Sequence, residues 1–239
     1  MKKPIERYLN KIYARLLTQY GPQSWWPAQS RFEVIVGAIL TQNTSWTNVE
    51  KAITNLRREN GLTPSALKNI SLKSLSEWIK PAGYFNVKAR RLKNFIEFLF
   101  KEYNGQLDRM AKEPVDQLRK KLLAVNGIGP ETADSILLYA LEKPVFVVDA
   151  YTKRILSRHY LIESDADYHE VQKKFTESLP TDTKMFNEYH ALIVRLAKET
   201  CKTKPLCERC PLKDINYPAF NFRKVRVSSF KKSAPSHLS

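Results

Sequence analysis

A short glycine-containing turn is the first feature of this sequence that could do chemistry. Residues 122–125 end one apolar helical stretch, Asn126, Gly127, Ile128 and Gly129 follow, and Pro130 opens another stretch. Glycine permits a close backbone approach, and proline suits the first turn of a helix. The free N–H groups of such a turn, at a helix N-terminus, can bind a phosphate. An ordinary helix-to-helix connection would use the same residue types.

Aspartate, tryptophan and cysteine residues form the other candidate groups. Asp149 immediately precedes a helical pattern, where aspartate is a favoured N-cap. Three of the four tryptophans, Trp25, Trp26 and Trp46, lie close together in the sequence, and core packing is the ordinary role of this residue type. All three cysteines lie between positions 201 and 210. Whether any of these groups takes part in binding or catalysis depends on the helices and loops that position it.

Composition and charge exclude several classes of protein. The 239 residues include 40 Lys and Arg against 24 Asp and Glu, so the formal net charge is +16, which is typical of proteins with a polyanionic partner. Only 7 residues are glycine and 43% are hydrophobic, so disorder, collagen-like repeats and glycine-rich sandwiches fit poorly. No apolar run approaches the ~18 residues of a membrane span, and no apolar signal segment follows Met1. The clustered cysteines favour a reduced, intracellular compartment, cytoplasmic or at the nucleoid in a bacterium or archaeon, with no membrane partner.

Apolar residues recur at three- to four-residue spacing over most of the chain, which predicts an all-α fold. The predicted helices span residues 5–20, 31–41, 46–58, 65–70, 72–78, 86–102, 114–124, 130–141, 149–158, 167–178 and 184–199. Only Val145–Val148 has the composition of an extended segment. From Cys201 to Ser239 there are nine Lys or Arg and two acidic residues. We expect residues 216–239 to form a basic extension that either helps to bind the polyanion or only solubilises the protein.

Several motifs together resemble the helix-hairpin-helix DNA glycosylases of the endonuclease III superfamily. The matching segments are residues 32–44, 80–89, 125–135 and 147–151, followed by the cysteine-bearing end, and they occur in the family's order. The spacing from Gly129 to Asp149 also matches the family. The resemblance implies two helical lobes, one of residues 1–30 plus 105–215 and the other of residues 31–135 with a hairpin at 118–141. A DNA-binding cleft would lie between them.

The resemblance implies that Asp149 is the catalytic carboxylate. Breaking an N-glycosidic bond develops positive charge on the sugar, which a fixed carboxylate can stabilise while it orients a water molecule. Bifunctional members carry a lysine two residues after the second hairpin glycine, and here that residue is Glu131. Because a carboxylate cannot form a Schiff base, we expect a water nucleophile and weak or absent strand cleavage. Glu131 either hydrogen-bonds the flipped base or is only an acidic residue that the helix dipole favours in the first turn. Lys153, a replacement amine, is expected to be solvated or to face a phosphate.

An enzyme that acts on a base flips it from the stack and holds it between flat apolar faces. The Trp-Trp-Pro motif and the later tryptophan are similar to the 3-methyladenine DNA glycosylase III branch, which implies an alkylbase pocket lined by Trp25, Trp26, Pro27 and Trp46. A purine alkylated on a ring nitrogen is cationic and suits electron-rich indole faces. A mismatch-specific enzyme would not need this cation-binding wall.

Two polar residues lie where the superfamily places its intercalating wedge. Gln42 and Asn43 follow the second predicted helix, and a wedge amide there would fill the gap left by the flipped nucleotide. Either residue could instead be an ordinary polar residue at a helix boundary. The same resemblance assigns Gly127, Ile128 and Gly129 to the DNA phosphate.

The cysteine loop departs from the family pattern. Cys201, Cys207 and Cys210 occur as C-x5-C-x2-C, whereas many relatives hold a [4Fe-4S] cluster with C-x6-C-x2-C-x5-C and four thiolates. No fourth cysteine follows, which argues against an intact cluster. Zinc is disfavoured because His190, the nearest histidine in the sequence, lies eleven residues before Cys201. We therefore expect that the chemistry requires no cofactor.

These inferences favour a monofunctional DNA N-glycosylase of base excision repair. The expected substrate is double-stranded DNA with a damaged base, an N-alkylated purine such as 3-methyladenine, and the expected state is a monomer. One alternative is an endonuclease III-like or mismatch-specific glycosylase for another base. The other is a non-catalytic helix-hairpin-helix protein that binds DNA. Only the catalytic hypotheses need Asp149.

Overall fold

The computed structural model of the protein describes residues 4–215, and this part of the chain folds into twelve α-helices without a β-strand. The helices are α1 (Pro4–Tyr20), α2 (Arg31–Leu40), α3 (Trp46–Arg58), α4 (Pro64–Asn69), α5 (Leu72–Trp78), α6 (Phe85–Tyr103), α7 (Leu107–Ala111), α8 (Val115–Ala124), α9 (Pro130–Ser135), α10 (Ala150–Arg158), α11 (Tyr168–Thr176) and α12 (Thr183–Glu199). Helix α9 continues directly into a π-helical segment, Ile136–Ala140. Two 3₁₀ turns span Lys80–Ala82 and Cys207–Arg209. None of the helices in the described range is long and apolar enough to cross a membrane.

The prediction of an all-α fold is confirmed. Apart from α7, and with the π-helical segment counted as the continuation of α9, the helices start and stop within two residues of their expected positions, because apolar spacing and capping agree. Helix α7, with five residues, is too short to display a period and was not predicted. Residues 145–148 form no strand and instead make a buried connection that leads to Asp149. The predicted basic extension, 216–239, lies outside the described residues.

Helix α2 lies at the centre of the packing. Every residue from Phe32 to Leu40 is buried, and α2 packs against α3, α6, α9 and the π-helical segment. Helix α12 packs against α1, α10 and the same π-helical segment. The buried apolar side chains form one continuous cluster, and their removal from water is the main stabilising contribution. The π-helical segment therefore lies between two groups of helices.

A buried carboxylate fixes the hairpin relative to the segment before Asp149. Asp134 on α9 has no exposed surface and accepts two hydrogen bonds from Arg119 on α8, at 2.6 and 3.0 Å. The Tyr168 hydroxyl and the Gln172 amide of α11 also donate to it, at 2.8 and 2.7 Å. The same Gln172 amide donates to the Phe146 carbonyl at 2.7 Å. One carboxylate thus ties α8, α9 and α11 to the connection at 145–148.

Replacement of Arg119 by methionine is expected to destabilise the fold. The substitution leaves the Asp134 charge buried without its cationic partner, which costs about 3 kcal/mol or more. For a chain of this size we expect a fall in Tm of roughly 6–12 °C in a thermal denaturation experiment. Arg58→Met is the matched control, because Arg58 forms an exposed ion pair with Glu59, a kind that contributes about 1 kcal/mol at most. Equal Tm values for the two variants would contradict a stabilising role for the buried pair.

Candidate active site

A cavity of about 520 Å³ brings together side chains from distant parts of the sequence. Trp25, Trp26 and Trp46 border it on one side. Asp149 and Glu131 border it from the starts of α10 and α9, and α12 contributes His190, Val194 and Lys198. The cavity therefore combines an aromatic wall with two carboxylates, which is the composition expected of a site that holds a flat ligand beside a polar reaction.

Asp149 has two different roles at its two carboxylate oxygens. As the N-cap of α10 it accepts hydrogen bonds at Oδ1 from the Thr152 amide and hydroxyl, at 2.7 and 2.8 Å. Its Oδ2 lies 3.5 Å from Nε2 of His190 and borders the cavity. Burial acts to raise the pKa of Asp149, but His190 and the bonds from Thr152 outweigh burial and lower the pKa below its ordinary value. Asp149 is therefore ionised at neutral pH, and capping does not exclude a chemical role.

The pKa of Glu131 is displaced in the opposite direction from that of Asp149. The residue remains accessible from the open side of the cavity, but its carboxyl group lies among the cavity walls. This partial burial, together with the Asp149 charge, raises the pKa of Glu131 to about 7 against the opposing influence of His190. Two neighbouring carboxyls whose pKa values are displaced in opposite directions are typical of acid–base assignments in enzymes.

The three tryptophans form one aromatic cluster. The ring centroids of Trp25, Trp26 and Trp46 lie 5.2–6.1 Å apart, and Trp26 also contacts Tyr139 at 5.1 Å. Nε1 of Trp25 is buried and has no hydrogen-bond partner within the described residues. Pro27 is not among the residues that line this cavity; it borders another cavity, which Trp26, Trp46 and Arg57 also line. The role of Pro27 in the base pocket stays a prediction.

The hairpin borders a groove of about 670 Å³ that continues toward the aromatic cavity. Residues 123–132 line it, and Gln42, Arg91, Glu131 and Thr132 border both the groove and the cavity. The amide N–H groups of Gly127 and Gly129 donate to no acceptor within residues 4–215. These unpaired donors lie where an anion that enters the groove would meet them.

The two residues expected to form the wedge differ in their contacts. Gln42 donates to the Gly127 carbonyl at 3.0 Å and to the Thr132 hydroxyl at 2.9 Å, and it accepts a hydrogen bond from Arg91. Asn43 is exposed and has a positive φ of 53°. In this conformation Gln42 joins the end of α2 to the hairpin, whereas Asn43 is the freer of the two. The wedge role of both residues stays a prediction.

Substitutions at the two hairpin glycines are expected to have separable effects. Gly127 has a φ of +92°, and a Cβ there would overlap the Arg91 side chain. Gly129 has a φ of −90°, and a Cβ would meet no protein atom within 4 Å. Alanine at Gly127 must therefore perturb the fold, whereas alanine at Gly129 occupies only space that is open to a ligand.

We expect Gly129→Ala to weaken DNA binding without a change in Tm. Hydrogen bonds to a charged group contribute about 1.5–3 kcal/mol, so Kd for duplex DNA should rise roughly tenfold or more if the methyl group keeps the phosphate away from the hairpin amides. Fluorescence anisotropy over a series of salt concentrations measures the effect, and Gly127→Ala, which should lower both Tm and affinity, is the comparison. Unchanged affinity of the Gly129 variant would exclude contact between this turn and the phosphate.

Two lysines that could supply an amine, Lys153 and Lys198, differ in position. Nζ of Lys153 donates to the Ala166 carbonyl at 2.7 Å, away from the cavity. Lys198, for which no sequence motif predicts a role, borders the cavity and has Nζ 5.9 Å from the ring centroid of Trp25. The structure therefore provides an amine on the cavity wall, but on α12 rather than at the position of Glu131.

The cysteine loop does not fit a [4Fe-4S] cluster. The chain has only three cysteines, and no group of three or more potential ligands within the described residues is arranged to hold a metal ion. Cys201, Cys207 and Cys210 border a small cavity, and the nearby histidine there is His159 rather than His190. Arg158 donates to Sγ of Cys201 at 3.2 Å and to the carbonyls of Lys202 and Thr203 at 2.7 and 3.0 Å. A guanidinium thus holds the loop to α10.

Sequence reasoning missed the contribution of α12 and of Arg91. His190, Val194 and Lys198 are spaced four residues apart and so share one face of the helix, which is the only signal that could have grouped them. That spacing is common to buried helix faces in general. Only the packing of α12 beside α10 reveals that this face borders the cavity.

Comparison with known proteins places this arrangement in a family. Residues 36–181 match the HhH-GPD superfamily of base excision DNA repair proteins. A protein of Methanocaldococcus jannaschii, provisionally named a DNA repair glycosylase, is 51% identical over 217 residues, which are 90% of this chain and 98% of the relative. Endonuclease III of Sulfolobus acidocaldarius is 30% identical over 185 residues, which cover 77% of this chain and 80% of that enzyme.

Solved structures agree with this relationship. The 3-methyladenine DNA glycosylase MagIII of H. pylori, bound to 1,N6-ethenoadenine, has a TM-score of 0.70 at 27% identity, with 83% of this chain and 98% of MagIII covered. A non-covalent endonuclease III–DNA complex has a TM-score of 0.75 at 22% identity, with 90% of this chain and 96% of that chain covered, and so shares the fold. The expected resemblance is confirmed: the chain belongs to the HhH-GPD superfamily and is a DNA glycosylase of base excision repair.

Proposed function

We propose that the protein is a monofunctional DNA N-glycosylase that excises an N-alkylated purine through Asp149. The observation that carries this proposal is one cavity that three tryptophans and an ionised aspartate line together. The groove along the hairpin would bind the DNA backbone, and the flipped nucleotide would pass from it into the cavity. The proposal also includes the predicted division into two lobes and the monomeric state.

In the proposed reaction the carboxylate of Asp149 stabilises the positive charge that develops on the sugar. Its Oδ1 is occupied by Thr152, so Oδ2 is the oxygen available to the sugar or to the attacking water. The glycosidic bond breaks, the base leaves with the bonding electrons, and the water oxygen bonds to the anomeric carbon. The water gives up one proton at this step, to the Asp149 carboxylate and from there to solvent. A cationic alkylpurine leaves as a neutral base and so needs no proton at this step.

The absence of a lysine at position 131 supports the monofunctional assignment. A Schiff base requires an unprotonated amine at the sugar carbon, and the side chain at this position is a carboxyl. Lys153, the alternative near Asp149, is hydrogen-bonded to a carbonyl outside the cavity. We further propose that no metal takes part, in keeping with the three-cysteine loop.

The aromatic wall supports an alkylated purine as the substrate. Indole faces attract a cationic ring, and three of them line the cavity. MagIII, whose structure contains a bound etheno adduct of adenine, is 27% identical to this chain. The ionised Asp149 adds a negative charge that favours the same class of base.

Lys198 favours a second candidate, a glycosylase for a neutral base such as uracil or thymine. An ammonium group on the cavity wall repels a cationic purine and can donate a hydrogen bond to a base carbonyl. A thymine/uracil-DNA glycosylase of Pyrobaculum aerophilum is 28% identical over 211 residues, which are 85% of this chain and 86% of that enzyme. This candidate retains the same role for Asp149.

A panel of duplexes, each with a single lesion, distinguishes the candidates. The panel contains 7-methylguanine, a 3-methyladenine analogue, ethenoadenine, uracil, thymine opposite guanine, and adenine opposite 8-oxoguanine. We expect release of the alkylated purines as free bases, without strand nicking and without covalent trapping by borohydride. Preferential release of uracil or thymine would select the second candidate, efficient trapping would refute the monofunctional mechanism, and release of no base would leave only a DNA-binding role.

A further inference from the structure

A buried histidine with an unpaired nitrogen lies behind the candidate carboxylate. His190 on α12 is 6% exposed, borders the cavity, and has Nε2 buried without a hydrogen-bond partner in the described structure. That nitrogen lies 3.5 Å from Oδ2 of Asp149, just beyond ordinary hydrogen-bond length. The other ring nitrogen, Nδ1, lies 2.5 Å from the hydroxyl of Tyr139. Tyr139, His190 and Asp149 thus form a chain of polar groups that ends at the cavity.

Hydrogen bonding determines which nitrogen of His190 carries a proton. The Tyr139 hydroxyl is fully buried in this chain, where burial and the nearby carboxylates raise its pKa well above the ordinary value, so it keeps its proton. If the imidazole is neutral, the hydroxyl donates to Nδ1 and the ring proton lies on Nε2. The opposite tautomer would leave the hydroxyl without an acceptor and direct a lone pair at the Asp149 carboxylate. If the imidazole is charged, both nitrogens carry protons, so Nε2–H points toward Asp149 in either state.

We propose that Tyr139 and His190 are positioning residues that hold Oδ2 of Asp149 toward the reacting sugar. Thr152 fixes one oxygen of the carboxylate, and the Nε2–H group of His190 restrains the other. A carboxylate held at both oxygens needs no reorientation when charge develops on the sugar, which is the basis of electrostatic preorganisation. This inference rests on the proposed role of Asp149.

The local fold explains how the pair is held in place. Tyr139 lies in the π-helical segment between α2 and α12, and such segments are frequent at functional sites. Its ring contacts Trp26 at 5.1 Å and the His190 ring at 5.9 Å. The positioning chain therefore also contacts the aromatic wall, so one set of packed rings orients both the carboxylate and the base-binding surface.

Binding of abasic-site analogues tests the proposal without a known lesion. One duplex carries a cationic pyrrolidine in place of the sugar, and a matched duplex carries a neutral tetrahydrofuran. The ratio of the two Kd values reports how well the carboxylate stabilises a positive charge at the sugar, whereas a general loss of folding or of DNA affinity affects both duplexes alike. We expect the protein to prefer the cation, and Asp149→Asn to remove this preference.

Variants of Tyr139 and His190 should change the same ratio of Kd values for the neutral and cationic duplexes. His190→Phe removes the N–H donor, and we expect the preference for the cation to fall by about tenfold or more. His190→Gln restores a donor of similar reach and should retain most of the preference. Tyr139→Phe removes the bond that orients the ring, and Tyr189→Phe is its matched control, because Tyr189 is also buried but donates to the Leu9 carbonyl at 2.9 Å. If His190→Phe does not fold, the comparison of His190→Gln with the two tyrosine variants remains decisive.

The outcomes separate this inference from the function on which it rests. Loss of the preference in Asp149→Asn, His190→Phe and Tyr139→Phe, with retention in Tyr189→Phe, supports the positioning role. If Asp149→Asn loses the preference but His190→Phe and Tyr139→Phe keep it, the positioning role is wrong and the role of Asp149 stands. If the unmodified protein binds both duplexes equally, the proposed role of Asp149 fails, and the inference fails with it.

Discussion

Asp149→Asn is expected to reduce base release by about 10²- to 10³-fold, the range measured when a single group that stabilises a charged transition state is removed. Asparagine retains an oxygen that can accept the hydrogen bonds from Thr152, so α10 keeps its N-cap. It lacks the negative charge that would stabilise the sugar. The substitution therefore tests the charge and largely preserves the structure.

Single-turnover kinetics with a lesion from the panel measure this effect, and anisotropy measures DNA affinity in parallel. Asp167→Asn is the matched control, because Asp167 caps α11 through the Glu170 amide at 2.8 Å and does not border the cavity. We expect the control to keep its rate and both variants to bind DNA. If Asp149→Asn releases the base as fast as the unmodified protein, the mechanism is refuted. The non-catalytic alternative requires that the unmodified protein and both variants bind DNA equally and that none of them releases a base.

Excision of a cationic alkylpurine is expected to become faster as the pH rises through about 7. Burial and the Asp149 charge raise the pKa of Glu131 to about 7. Below that pH the carboxyl is neutral, and above it the group is an anion that attracts a cationic base. The ionised fraction rises from about one tenth at pH 6 to about nine tenths at pH 8, so kcat/KM should increase by up to roughly tenfold over this range.

Glu131→Gln should remove this pH dependence, because an amide does not titrate. Glu77→Gln is a suitable control, since Glu77 forms an exposed ion pair with Lys80 and neither residue lines the cavity. A neutral base gains no Coulombic attraction from the Glu131 anion, so uracil release would lack the rise above pH 7. Persistence of the rise in Glu131→Gln would assign the titration to another group.

The pKa values of Asp149 and Glu131 are displaced in opposite directions because the surroundings of the two carboxyl groups differ. Asp149 receives hydrogen bonds at one oxygen and faces an imidazole N–H at the other, so its anion is stabilised. Glu131 is partly buried beside the Asp149 charge, and both effects favour its neutral form. Environment rather than residue type separates their roles.

Much of the fold could be predicted from the sequence because its signals are local. Apolar periodicity and N-caps such as Ser30 and Asp182 determine where helices start and stop, and both are properties of short segments. The five-residue helix α7 has too little sequence for this signal. The composition of residues 145–148 predicts an extended segment, but apolar β-branched residues suit any fully buried segment, and here they form a buried connection.

The site was only partly predictable, for a related reason. Gly127, Gly129, Glu131 and Asp149 belong to motifs of fixed spacing, so the sequence alone could nominate them and the tryptophans as candidates. Nothing in the local sequence indicates that Gln42 bonds to the hairpin, that Pro27 borders a different cavity from Asp149, or that His159 rather than His190 lies beside the cysteines. These relationships join residues that are far apart in the chain.

Residue types and their spacing along the chain are enough to identify the helical class, the family and the candidate carboxylates. Which charges meet depends instead on how distant helices pack. His190 acquires its contact with Asp149 because α12 packs beside α10, and Lys198 reaches the cavity on the same helix face. The physical reason is that electrostatic interactions and burial depend on distance in space, which a spacing along the chain does not report.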